Sequence, residues 1–255
     1  GGMPSKQTIW IMDYWGGAIS AFNIIACLYW RDNVSNKGNF LEYSQVHGAQ
    51  RHLTDFISLY GKTGIVAQRF GNWEPLLCVH GVLRCGKSSY PNSKNPQEQE
   101  VGFCLVSAYK DADFVNLCNL INRPDLAKKY PTHADRVGAD AQTAIYPELE
   151  KWAADKTKEQ VWEECKKAGI VSQPVWNSKE VSAQEHYHLR GSLAWIDDPT
   201  FGDVQTQVHP ALMSETPPRV RWVFKPVGAD NEYVLAKLCG YSGSHIAELE
   251  KKEII

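Results

Sequence analysis

One acidic residue, Asp13, stands in an apolar part of the sequence, between the run IWIM at 9–12 and the pair Gly16 and Gly17. A carboxylate in such a segment costs free energy unless something stabilises its charge. A helix beginning at the glycines would do so, because the free N–H groups and the dipole of a helix N-terminus favour an anion. A charged, partly desolvated carboxylate can attack an activated acyl group as a nucleophile. The alternative is a plain helix N-cap, a role that Asp often has, and the local pattern alone favours it.

A second candidate is the stretch RFGNWEP at 69–75, where Gly71 and Asn72 form a turn between aromatic residues. This turn is equally compatible with a mobile loop that closes over a ligand and with the entry to a strand. The histidine spacings do not match a helical metal site, and the sequence contains no P-loop, GxGxxG or GxSxG motif. We therefore predict no metal site.

The elements that must position these residues follow from periodicity and turn residues. IWIM predicts a short extended run, and the sequence from Gly16 to about Arg31 predicts a helix buried on every side. A second helix is expected from about Ser44 to Tyr60, after a possible short strand in FLEYSQV. The runs LLCVHGVLRC and VGFCLVSAYK predict two strands joined by an exposed polar loop at 86–100.

The C-terminal half predicts three helices, a hairpin and two short terminal helices. The first two helices correspond to DADFVNLCNLI and to residues from about 135 to 155. The third has a capping box formed by Thr157 and Gln160, with Gly169 as its C-terminal stop. The stretch SLAWIDDPTFGDVQTQV predicts two strands around a turn, and two short helices follow Gly228. Strands mixed with helices without strict alternation predict an α+β or mixed α/β fold.

Composition excludes several classes of function. A net charge of −2 gives no electrostatic reason for binding nucleic acid or an anionic membrane. The seven cysteines form no CxxC pair, which argues against a disulfide framework or zinc and fits a reducing cytoplasm. No signal peptide is recognisable, and we expect the apolar run after Asp13 to be too short to span a bilayer. We expect a cytoplasmic protein that binds neither nucleic acid nor membrane.

Seven segments, taken in order, form one pattern. The first is Asp13 with the helix that ends in LYWRDN. The next are NKGNFLEYSQVHGA, RFGNWEPLLCVHGVLRC and LINRPDLAKKYPTHADRVGA. The last three are CKKAGIVSQPVWNSKEV, LRGSLAWIDDP and VGADNEYVLAKLCGYSGSHIAEL. In this order they resemble the class III CoA-transferase family, which includes formyl-CoA transferase, carnitine CoA-transferase and α-methylacyl-CoA racemase, and Asp13 and its helix resemble the family's catalytic aspartate and the helix behind it.

The resemblance implies that Asp13 is the nucleophile. Its carboxylate would attack an acyl-CoA thioester to give an aspartyl anhydride, and CoA would pass to a carboxylic acid. Gly16, Gly17, Gly71 and Asn72 would contact the substrate, and no tightly bound cofactor is implied. Two alternatives stay open: an acyl-CoA racemase, which needs a second acid–base group opposite Asp13, and a catalytically incomplete partner subunit with a role in assembly.

The resemblance also implies an α/β fold, in which a Rossmann-like large domain is only partly present. The expected parts are residues 1–66 of the large domain, a small α/β domain at 67–172, and a linker with a C-terminal return to the large domain at 173–255. The family forms an intertwined dimer. Because family members carry a large segment before the catalytic aspartate, we expect that segment in the same polypeptide or on a second subunit of a homodimer or hetero-oligomer.

Overall fold

The computed structural model describes residues 9–68, 71–74, 76–86 and 101–255. An N-terminal helical part is followed by an α/β part around a three-stranded sheet and by a C-terminal part that contains a β-hairpin. The helical part comprises α1 (Ile11–Trp30), which continues into a π-helical turn (Arg31–Ser35), then α2 (Gln45–Arg51) and α3 (Phe56–Thr63). Apart from Gly86, the loop predicted at 86–100 lies outside the described residues.

Helix α1 begins earlier than predicted, at Ile11, so the expected extended run and the expected start at Gly16 are both wrong. The carbonyl of Trp10 accepts hydrogen bonds from the N–H groups of Asp13 at 3.1 Å and Tyr14 at 3.2 Å, which closes the first turn. A short apolar run has no periodicity that separates strand from helix, and here the helix extends through it. Both glycines therefore lie inside α1.

The predicted burial of α1 on every side is also wrong for this chain, because Gly16 is the one buried residue of the helix. Large apolar side chains point to solvent along its length, including Tyr14 (73% exposed), Phe22 (72%) and Tyr29 (66%). Helix α2 packs against α1, and the rest of the helix surface presents apolar groups to water. A surface of this kind is typical of an interaction site.

Helix α1 and its π-helical continuation form one segment of 25 residues, Ile11–Ser35. The segment contains an 18-residue window with a mean hydropathy of 1.3, so it is long and apolar enough to cross a membrane by length and composition. The prediction that this run is too short is therefore wrong. The core helix of a soluble protein meets the same two criteria.

Instead of the single helix predicted from Ser44 to Tyr60, the chain forms α2 and α3, separated by a turn at 52–55. Thr54 adopts a positive φ of 50° in this turn, which a continuous helix does not allow. No strand forms in FLEYSQV, since residues 40–44 lack regular structure. Helix α3 ends at Gly64, which has a φ of 72° and closes the last turn.

The central sheet has the order β1 (His80–Arg84), β2 (Phe103–Ser107) and β3 (Val171–Pro174), with both neighbouring pairs antiparallel. His80 lies opposite Ser107 in the first pair, and Cys104 lies opposite Pro174 in the second. The two strands predicted around residues 76–110 are thereby confirmed. The domain boundary drawn at residue 172 falls within β3, and the division into domains stays a prediction.

Five helices lie between β2 and β3: α4 (Asp111–Leu120), α5 (Pro124–Lys129), α6 (His133–Arg136), α7 (Ala139–Ala153) and α8 (Lys158–Lys167). The predicted capping box is confirmed, because the Thr157 hydroxyl accepts from the Gln160 N–H at 3.2 Å and the Gln160 side chain accepts from the Thr157 N–H at 2.8 Å. Gly169 has a φ of 74° directly after this helix, as predicted for its stop.

These helices and the sheet enclose the hydrophobic core of the α/β part. Its fully buried members include Val79, Leu83, Val106, Leu117, Ile145 and Leu149. A charged residue, Arg136, is also completely buried in it. The Arg136 guanidinium donates to the carbonyls of Cys78 (3.1 Å), Tyr130 (3.2 Å) and Tyr109 (2.7 Å), and it lies 4.5 Å from the centre of the Phe114 ring. It thus joins α6 to three backbone segments.

The C-terminal part comprises α9 (Ser178–Ala183), α10 (Glu185–Leu189), β4 (Leu193–Asp198), β5 (Gly202–Gln207), a π-helical segment (Tyr233–Leu238) and α11 (Gly243–Lys251). Strands β4 and β5 pair antiparallel, which confirms the predicted hairpin. The two short helices after Gly228 are confirmed as well, the first of them as a π-helix.

Two buried carboxylates stabilise the C-terminal part, one by binding it to α8 and the other by joining two of its own segments. Glu180 accepts from the Lys158 ammonium at 2.6 Å, and both side chains are almost fully buried. Asp198 accepts four backbone N–H groups, two from the hairpin turn and two from Val223 (2.8 Å) and Phe224 (3.1 Å). Burial opposes ionisation of Asp198, but the four donors outweigh it and hold the pKa below the usual 3.8.

Candidate active site

Asp13 lies in the first turn of α1, three residues after the N-cap Trp10, and its side chain is exposed. The N-cap interpretation is therefore wrong in detail, because Trp10 occupies that position and Asp13 follows it inside the helix. An acidic side chain in the first turn still benefits from the unpaired N–H groups and the helix dipole. This position stabilises a carboxylate while leaving it accessible.

The partner of Asp13 comes from α2. The side-chain amide of Gln45 donates from Nε2 to Oδ1 of Asp13 at 3.0 Å. Gln45 is the first residue of α2, so the hydrogen bond joins the N-terminal turns of two helices. Among the described residues, Oδ2 of Asp13 has no hydrogen-bond partner. Sequence reasoning missed Gln45, since the two residues are 32 positions apart and no local pattern links them.

Tyr43 fixes the approach of α1 and α2. Its ring lies over Gly16, where a Cβ would be 3.1 Å from Cε1 of the tyrosine. Its hydroxyl lies beside Gly48, where a Cβ would be only 1.9 Å from the oxygen. Trp15 and His52 add an edge-to-face contact with ring centres 4.4 Å apart. Glycines at two positions therefore let one tyrosine wedge between the helices and place Gln45 against Asp13.

The two glycines predicted to bind substrate differ in their surroundings. Gly16 is buried against Tyr43, whereas a Cβ on Gly17 would meet nothing within 4 Å. Gly17 is exposed one turn from Asp13, on a part of α1 that a ligand can reach. The role of both residues in substrate binding stays a prediction, and for Gly16 the contact with Tyr43 supplies a structural reason for glycine.

Gly71 and Asn72 lie in a turn of the α/β part. Gly71 has a φ of 69°, and the carbonyl of Asn72 accepts from the N–H of Val82 in β1 at 3.0 Å. The next residue, Trp73, forms a bridge with Gly81 of the same strand. The turn thus has the backbone pairing of a strand entry, one of the two interpretations the sequence allowed, and its contact with substrate stays a prediction.

An apolar cavity of about 500 Å³ lies between the end of the helical part and this turn. Its lining includes Phe56 and Leu59 of α3, Val66, and Trp73 with Leu76 beyond the turn. Asp13 is not among the residues that line it. The cavity therefore belongs to the junction of the helical and α/β parts.

Five of the cysteines are buried and have the character of core residues. Burial raises the pKa of the Cys78, Cys85 and Cys118 thiols to about 11, and that of Cys104 and Cys165 to about 12. Such thiols are protonated and poor nucleophiles at neutral pH. Within the described segments, no group of three or more His, Cys, Asp or Glu side chains comes together as a metal site.

The fold is shared with solved structures of the CaiB/BaiF class. A CaiB/BaiF family protein from Brucella suis superposes with a TM-score of 0.70 at 20% identity, covering 92% of this chain and 57% of that one. Residues 1–231 match the model of CoA-transferase family III. The chain belongs to this family, as the sequence resemblance implied.

Relatives with assigned activities are distant in sequence but match along the whole chain. A succinyl-CoA–D-citramalate CoA-transferase from Chloroflexus aurantiacus is 22% identical over 254 residues, which is 99% of this chain and 59% of the relative. The beta subunit of a succinyl-CoA–L-malate CoA-transferase from the same organism is 23% identical over 255 residues, with 99% and 59% coverage. The chain thus spans 59% of the length of these two relatives.

Proposed function

We propose that this chain carries the nucleophile of a CoA-transferase, and that Asp13 is that nucleophile. The observation that carries the proposal is the state of its carboxylate: Asp13 is exposed in the first turn of α1, Oδ1 accepts from Gln45, and no described residue bonds to Oδ2. Attack of Oδ2 on the carbonyl of an acyl-CoA gives an aspartyl–acyl anhydride and the CoA thiolate. Such covalent catalysis divides one difficult transfer into easier steps.

The names of the relatives support a class of substrate. Several act on succinyl-CoA together with a small dicarboxylic acid, namely citramalate, malate or mesaconate. We propose succinyl-CoA as donor and a dicarboxylic acid of similar size as acceptor. These names favour CoA transfer over the racemase alternative. The chemistry uses the substrate's own thioester and needs no tightly bound cofactor.

The exposed side of α1 gives a reason to propose a protein partner. Its aromatic and aliphatic side chains would be covered by further parts of a large domain, in the same polypeptide or on another subunit of a cytoplasmic dimer. The alpha and beta subunits of the malate enzyme from Chloroflexus aurantiacus are both relatives, which supports a hetero-oligomer as one form of this arrangement. In such an assembly, α1 is a core helix rather than a membrane span.

Trapping with hydroxylamine tests the assignment of Asp13. The catalytically competent assembly is incubated with succinyl-CoA and hydroxylamine, and the peptide containing Asp13 is examined by mass spectrometry. We expect an aspartyl hydroxamate in the wild type and none in Asp13→Asn. Asp32→Asn is the matched control, since Asp32 is exposed on the same helical segment and, in the part of the chain that the structure describes, pairs with its neighbour Arg31 at 2.6 Å. Full transfer activity in Asp13→Ala would refute the assignment.

The partner proposal has its own test. Residues 1–255, purified alone, should be oligomeric or aggregated by light scattering, because α1 exposes a wide apolar surface. They should also fail to turn over succinyl-CoA, since the thioester must be held within attack distance of the carboxylate. A monodisperse monomer that binds CoA with micromolar affinity in calorimetric titration would contradict the proposal.

A further inference from the structure

The two oxygens of the Asp13 carboxylate are not equivalent. Oδ1 accepts the hydrogen bond from the Gln45 amide at 3.0 Å, and Oδ2 is open among the residues that the structure describes. We infer that Gln45 stabilises the negative charge that develops on Oδ1 whenever the carboxyl carbon of Asp13 is itself attacked. This inference rests on the proposed role of Asp13 as nucleophile and adds a second participant to the same site.

The balance of atoms in CoA transfer requires such an attack. Oδ2 first bonds to the acyl carbon and the CoA thiolate leaves. For the donor acid to depart while CoA is retained, the thiolate must then attack Cγ of Asp13, which breaks the bond between Cγ and Oδ2 and releases the acid as a carboxylate. As the thiolate adds, the electron pair of the carbonyl moves onto Oδ1, and it returns when the acid leaves.

The second half of the exchange repeats this at the same atom. The acceptor carboxylate attacks Cγ of the aspartyl thioester and displaces the thiolate, again through a tetrahedral state with its charge on Oδ1. The thiolate then attacks the acyl carbon of the acceptor, which gives the new acyl-CoA and restores the Asp13 carboxylate. Two of the four steps therefore place negative charge on the oxygen that Gln45 already contacts.

The chemistry and placement of Gln45 suit this role. A primary amide is a neutral donor, so it can strengthen its hydrogen bond as charge grows without permanently neutralising the nucleophile. Donors that are held in place before the reaction stabilise an oxyanion most effectively. Here the packing of Tyr43 between Gly16 and Gly48 fixes α2 against α1, and Gln45 is the first residue of α2.

Three variants test the inference in the competent assembly with succinyl-CoA and L-malate as probes. Gln45→Met keeps the length of the side chain and removes the donor, and Gln45→Asn keeps an amide on a shorter chain. Gln50→Met is the matched control, because Gln50 is exposed on the same helix and its side chain has no hydrogen bond among the described residues. Circular dichroism confirms that each variant is folded.

We expect kcat of Gln45→Met to fall roughly 100-fold, the lower end of the range for loss of an oxyanion donor. Formation of the anhydride does not place charge on Oδ1, so it should continue at the wild-type rate. Acid quenching in the first turnover should therefore release more free CoA per active site than in the wild type or Gln50→Met. Gln45→Asn should recover part of the lost kcat.

Two results would overturn the inference while leaving the proposed function intact, provided that the wild type still forms the Asp13 hydroxamate. The first is wild-type kcat in Gln45→Met. The second is a fall in kcat with an equal fall in free CoA and in trapped Asp13, which would indicate general damage to the site. Absence of the hydroxamate in the wild type would overturn the proposed function and this inference together.

Discussion

Replacing Arg136 by methionine should destabilise the α/β part severely. Methionine retains most of the apolar volume beside Phe114 but removes every donor of the guanidinium. The carbonyl of Cys78 is fully buried, and leaving it without a partner costs about 2 kcal/mol. The carbonyls of Tyr109 and Tyr130 are partly buried and add roughly 0.5–1 kcal/mol each. Asp111 also loses its ion pair, but it is 56% exposed and returns to water.

The expected loss is therefore about 3–4 kcal/mol, a large share of the roughly 5–15 kcal/mol by which a domain is stable. Urea unfolding followed by tryptophan fluorescence measures it, and the midpoint should move down by roughly 1–4 M. Arg123→Met is the matched control, because Arg123 is also an ion-paired arginine, bonded to Asp125 and Glu148, but its side chain is 34% exposed rather than buried. Its urea midpoint should stay close to that of the wild type. A loss below about 1 kcal/mol in Arg136→Met would refute the reasoning, because less than one buried carbonyl would then account for it.

Three further predictions concern other parts of the chain. Because the folded pKa of Asp198 lies below the usual 3.8, the ionised carboxylate stabilises the fold above that pH, and this stabilisation is lost as the pH falls below it. The melting temperature of the wild type should therefore fall in acid, and that of Asp198→Asn should depend less on pH. Gly48→Ala should destabilise the α1–α2 pair by about 1–3 kcal/mol, because the added methyl group overpacks against Tyr43. Gly17→Ala is the control, and its melting temperature should stay the same or rise. Equal effects of the two substitutions would contradict the packing described for Tyr43. Maleimide at pH 8 should modify the exposed Cys239 and spare the five buried thiols until urea is added, as read by mass spectrometry.

The parts of the fold that the sequence predicted well depend on local signals. The capping box of Thr157 and Gln160 and the stop at Gly169 belong to one helix. In the strands around residues 76–110, buried residues alternate with less buried ones over a few positions. The family came from the order of seven segments, which needs no geometry, and the role of Asp13 stays a proposal.

The errors arose where distant residues decide the local structure. Gly16 and Gly17 looked like a break before a helix, but both lie inside α1, and Tyr43, 27 positions further along the chain, packs on Gly16. All sides of α1 are apolar, which predicted burial, but among the described residues α2 and Tyr43 cover part of the helix and leave most of it exposed. Gln45 could not be found from sequence, since an exposed glutamine at the start of a short helix has no distinguishing pattern.

The four hydrogen bonds of Asp198 determine how the protein should behave after a protease cuts the chain. They join the turn of the β4–β5 hairpin to Val223 and Phe224, which are 25 and 26 positions further along. Residues 208–222, which lack regular structure, therefore form a loop closed at its base by the Asp198 carboxylate and by the contact of the Phe201 and Phe224 rings, whose centres are 5.6 Å apart. A protease that cuts one peptide bond in this loop would leave the C-terminal segment attached, so the nicked protein would keep its mass in native chromatography and separate into two fragments only in denaturant or acid.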